Sequence, residues 1–89
     1  MSLKNEFMEK LPDSLKQDQH CLALFDHIKE HNIDTSEHLF NFLDQKISLV
    51  EKWLEENQNS GTTMAKTVRD KVVELGFLKK CRQLSKEFL

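Results

Sequence analysis

The amino-acid sequence predicts an all-α fold, a small bundle of three main helices with a short helix ahead of them. Three observations point there. Apolar residues recur at steps of three and four over long stretches, as in Leu39, Leu43, Ile47, Val50 and Leu54, which places them on one face of an α-helix. Leu, Lys, Glu, Gln and Asp recur, against two Gly and one Pro, and the abundance of Leu, Lys and Glu favours helix interiors. Tyr is absent, Val and Ile are sparse, and no long stretch alternates apolar with polar residues, so strands are not expected.

The first element follows from Leu3, Phe7 and Leu11, spaced i, i+4, i+8. They predict a short amphipathic helix over 2–11, too short to persist unless it docks on the body. Pro12 ends it, because proline lacks an N–H and restrains the residue before it. Asp13 or Ser14 then caps a second helix over 14–31, with Ser14 and Gln17 spaced as a capping box. Its apolar set, Leu15, Cys21, Leu22, Leu24, Phe25 and Ile28, occupies about half the circumference. His31 and Asn32 suit its C-terminus.

Asp34 or Thr35 starts the third helix, over 35–57, with Glu37 in its first turn. Phe42, Leu49 and Trp53 form a second stripe beside the main one, and Phe40 widens the other edge. The apolar arc is then about 180°, wider than one neighbour requires. This helix is therefore expected at the centre of the bundle, touching two or three others, with Lys46 snorkelling out of the arc. Asn57 to Gly61 reads as a loop, and Thr62 or Thr63 as the next cap. Met64, Val68, Val72 and Leu75 give a narrow stripe. Gly76 followed by Phe77 matches the pattern of a helix ending in a left-handed glycine. The last helix is therefore expected to split, with Phe77 folding back on Val72 and a final piece running to 88. The alternative is one long helix that tolerates Gly76 at a cost of about 1 kcal/mol. Consecutive helices should pack as antiparallel neighbours.

Eighty-nine residues form a single domain, 1–89, that buries only about 60–65% of its unfolded surface. A partner or a second copy would add to so small a core. Apolar runs of at most five residues are far too short to span a bilayer, so no membrane is expected. The opening MSLKNEFMEKL carries acids and no apolar core, unlike a secretory signal. A cytoplasmic location is expected, with Cys21 and Cys81 as reduced core thiols. A bridge between them needs close packing of their two helices.

Charge is divided unevenly. Residues 1–61 hold six lysines against twelve acids, a net of −6, and residues 62–89 hold seven basic residues against three acids, a net of +4. Lys79, Arg82 and Lys86 line one helical stripe, with Lys66, Arg69 and Lys80 nearby. One reading is phosphate contact with nucleic acid, even as a helix-turn-helix over 62–88. The other is a match, within one chain or between two, to the acidic stripe Asp44, Glu51 and Glu55. A pI near 6.1 and the lack of aromatic or amide side chains on the basic face favour the second.

His20, His27, His31 and His38, with Asp34 among them, invite a zinc site. No HExxH motif is present, however, and no Cys joins the cluster, so these residues are expected on a solvated face with no metal and no cofactor. There is no Gly-x-Ser-x-Gly and no Gly-rich phosphate loop. Adjacent His20 and Cys21 point about 100° apart on a helix and cannot share a proton. No enzymatic activity is expected. What is left is a small regulatory, adaptor or chaperone-like protein acting through a protein partner, with homodimerisation included and nucleic acid as the second choice. Phe42, Leu49 and Trp53 would be its apolar anchors, and Lys79, Arg82 and Lys86 would steer the encounter.

Overall fold

The computed structural model describes residues 2–57 and 64–89. Helix α1, Leu3–Lys10, starts at Ser2, whose Oγ accepts the Asn5 N–H at 3.2 Å. Leu3, Phe7 and Leu11 are all buried, and Phe7 meets Phe25 edge-on with ring centroids 5.5 Å apart. This contact anchors a helix that could not stand alone.

Helix α2 spans Gln19–Glu30, five residues later than the start at Ser14 that the sequence suggests. After Pro12 the chain makes a 3₁₀ turn, Asp13–Leu15, without a side-chain cap. Asp18 then serves as the N-cap: its Oδ1 accepts the His20 N–H at 2.9 Å and lies 2.9 Å from His20 Nδ1. Those hydrogen bonds hold the Asp18 carboxyl below its usual pKa. An aspartate with two donors is the stronger cap, so the box at Ser14 and Gln17 does not form. At the other end, Asn32 has φ of 51° and the Ile33 N–H donates to the Ile28 carbonyl at 3.0 Å. Together these make a Schellman ending, with Ile28 and Ile33 both buried.

Helix α3, Ser36–Asn57, begins where Thr35 Oγ1 accepts the His38 N–H at 3.1 Å. Leu39, Leu43, Ile47, Val50 and Leu54 are all buried. The loop expected over 57–61 and the cap at Thr62 or Thr63 lie outside the described residues, apart from Asn57, which closes α3.

Helix α4, Ala65–Phe88, is continuous, so the break expected at Gly76 is not there. The reason is a single unbroken seam with α3. Lys71 Nζ lies 5.6 Å from the Trp53 ring, Lys79 pairs with Glu51 at 3.8 Å, and Lys86 Nζ lies 5.7 Å from the Phe40 ring. Rising residue numbers on α4 meet falling numbers on α3, so the pair is antiparallel. Gly76 sits mid-helix with no positive φ, on the side away from this seam. The seam uses Val68, Lys71, Leu75 and Leu78. Val72 points elsewhere and is 52% exposed, and Met64 is exposed as well, which corrects the stripe read from the sequence.

The central element is α4, which packs against α3, α2 and α1, whereas α3 packs chiefly on α4. Consecutive α2 and α3 are therefore not the close neighbours expected. The buried residues of α4 all fall between Leu78 and Ser85, where α1 and α2 cover it. The other end of the α3–α4 hairpin has no second layer among the described residues. This explains a radius of gyration of 14.8 Å and extents of 49 × 25 × 20 Å, against about 12 Å for a compact chain of this length. No helix among the described residues is long and apolar enough to cross a membrane.

Candidate functional site

The uncovered end of the hairpin carries the most exposed large apolar side chains among the described residues. On α3, Lys46, Leu49, Trp53 and Glu56 share a face by their spacing. Leu49 is 62% exposed. Trp53 is half-buried, held beneath Lys71, which itself pairs with Glu74 at 3.4 Å. On α4, Val73 is 66% exposed. A groove of about 380 Å³ runs here, between His27 of α2, Lys46 of α3, and Asp70, Val73 and Phe77 of α4. Its floor is apolar and its rim holds charges of both signs.

Of the three apolar anchors expected from the sequence, Leu49 and Trp53 lie on this surface. Phe42 does not stand free. The His31 and His27 rings sit 4.6 and 5.3 Å from it, and Lys46 Nζ lies 5.4 Å above it. Phe42 therefore joins α2 to α3. His27 is partly buried there, with its Nδ1 enclosed and unpartnered. Burial pushes its pKa below the usual 6.5, and the nearby charges of Lys46 and His31 push the same way.

The histidines do not converge. His20 stacks on Phe77 at 4.5 Å and contacts Asp18, while His27 and His31 turn toward Phe42. Among the described residues no three of His, Cys, Asp or Glu are placed to hold a metal. Cys21 and Cys81 are free and fully buried, on facing helices. Cys81 Sγ donates to the His20 carbonyl at 3.6 Å. Burial, with Cys21 and Asp18 nearby, pushes the Cys81 thiol up to about 12.

Lys79, Arg82 and Lys86 come together on the opposite side of the hairpin, beside a second groove of about 490 Å³. Arg82 Nε lies against Asp44 Oδ1, an ion pair whose geometry is not that of a linear hydrogen bond. Lys79 pairs with Glu51 and Lys86 covers Phe40. The acidic stripe of α3 thus answers the basic stripe of α4 within one chain, through Asp44 and Glu51. At side-chain exposures near 45% for Arg82 and Asp44 such a pair contributes at most about 1 kcal/mol.

Sequence reasoning missed Val73. A signal was present: Val72 and Val73 are adjacent, so on a helix they point about 100° apart and cannot both face α3.

Comparison with protein-family models, curated proteins and solved structures returns no match. The fold places the chain among small all-α helical bundles.

Proposed function

We propose that this is a non-catalytic interaction protein, a small cytoplasmic regulator, adaptor or chaperone-like factor that works by docking another protein. The observation that carries this reading is the exposure of Leu49 and Val73 at the end of the hairpin, with the half-buried Trp53 near them on α3. Exposed apolar side chains grouped on rigid helices and rimmed by charge are the usual form of a protein contact surface. Trp53 supplies the large, stiff anchor that such surfaces favour. The pairing of Lys79 and Arg82 with acids of the same chain supports this over phosphate contact, since nucleic acid would have to displace those acids first.

Photo-crosslinking tests the reading. A benzophenone side chain at position 49 should give light-dependent adducts with another polypeptide in cells that make the protein. The same group at Lys29, on the exposed side of α2, should give none. A folded protein whose position 49 crosslinks no more than position 29 overturns the reading.

A further inference from the structure

We infer that the exposed face of α3 pairs with the same face of a second copy of this chain across a two-fold axis. The inference rests on the interaction reading above and narrows its partner to the chain itself.

The argument starts from four residues. At 100° per residue, Lys46, Leu49, Trp53 and Glu56 fall within an arc of about 80°. Lys46 and Glu56 are equally far from position 51, one on either side, and so are Leu49 and Trp53. A two-fold axis crossing α3 at that level therefore sets Lys46 of each copy against Glu56 of the other. It also sets each Leu49 against the other's Trp53. Isologous contacts require such self-complementarity, in which residue i meets j and j meets i. The stripe reads positive, apolar, apolar, negative, and its antiparallel reverse is its own complement. With one sign of charge at both ends, the same apolar pair would repel its copy.

Three features of the structure agree with this pairing. Neither Lys46 nor Glu56 has an ion-pair partner among the described residues, unlike Lys79 and Arg82. Glu51, at the level of the axis, is turned to the opposite side of α3 and held by Lys79, so two like charges do not meet at the centre. Val73 borders the same groove as Lys46, so α4 adds apolar area beside the α3 stripe. Two hairpins joined in this way form a four-helix core and supply the layer that this end of the hairpin lacks.

Sedimentation velocity over the micromolar range, with helicity checked by circular dichroism, tests the geometry. The wild type should show a reversible monomer–dimer equilibrium. Lys46→Glu alone and Glu56→Lys alone should each weaken the dimer about tenfold or more, because each turns two symmetry-related attractions into repulsions. An equimolar mixture of the two variants should recover wild-type affinity, since both contacts of the mixed dimer are again between opposite charges. Leu49→Asp should abolish association. A wild type that stays monomeric overturns the inference. So does a dimer that the single changes leave intact, or a mixture no tighter than its components. A monomer whose position 49 still crosslinks to another polypeptide removes the two-fold pairing and leaves the interaction reading standing. Loss of both removes both.

Discussion

Replacing Gly76 by alanine should stabilise the protein, and the sign of that effect reports directly on α4. Gly76 is exposed within a continuous helix, and a Cβ built there meets nothing within 4 Å. No packing is gained or lost, so only helix propensity and the entropy of the unfolded chain change. Alanine exceeds glycine in a helix interior by about 0.8–1 kcal/mol, partly by restricting the unfolded chain. For a domain of this size 1 kcal/mol moves the melting temperature by about 4–8 °C. Far-ultraviolet dichroism on Gly76→Ala should show that increase, and the urea midpoint should rise with an unchanged slope. If α4 instead broke at a left-handed Gly76, an L-alanine there would cost about 1–2 kcal/mol. A D-alanine, placed by chemical ligation, would then stabilise. A lower melting temperature for Gly76→Ala, with a higher one for the D-residue, refutes the continuous helix.

Two further predictions concern buried titratable groups. The folded state lowers the pKa of His27 below 6.5, so it favours the neutral ring. That contribution to stability is complete above pH 6.5 and is lost as pH falls through the folded value. The melting temperature should therefore drop on acidification below pH 6.5, and His27→Leu should flatten the drop; identical profiles for the two proteins would exclude His27 as its source. Cys81, raised to about 12 and enclosed with Cys21, is almost wholly protonated near neutrality and out of reach. Ellman's reagent should modify neither thiol of the native protein at mixing, and both at once in denaturant. Immediate reaction of one thiol in the native state would contradict this packing.

The features legible in the sequence are those set within a turn or two of chain. The buried line of α3 from Leu39 to Leu54 and the docking edge Leu3, Phe7 and Leu11 follow from spacing alone. The answer of Asp44 and Glu51 to Arg82 and Lys79 was visible as two opposed stripes of charge. Where local cues competed, the reading faltered. Ser14 and Asp18 both precede an apolar run, and the second wins because it collects two donors from His20. Asn32 and Gly76 both suit a left-handed cap. Asn32 takes it because Ile33 closes on Ile28, while at Gly76 the line from Leu75 to Leu78 along α3 makes continuation the better course.

By itself, then, the sequence determined that the chain is helical, which face of α3 is apolar, and where opposite charges can meet. Those properties arise from propensity and from side chains three or four positions apart. Only the tertiary structure decided that α4 is the hub, that Phe42 is covered by His27 and His31, and that Leu49 and Val73 stay open. Coverage depends on where α2 lands, a matter settled by contacts such as that of Cys81 with the His20 carbonyl, 61 residues apart in the chain. Periodicity records that a face is apolar, whereas only the placement of distant helices determines what, if anything, lies against it.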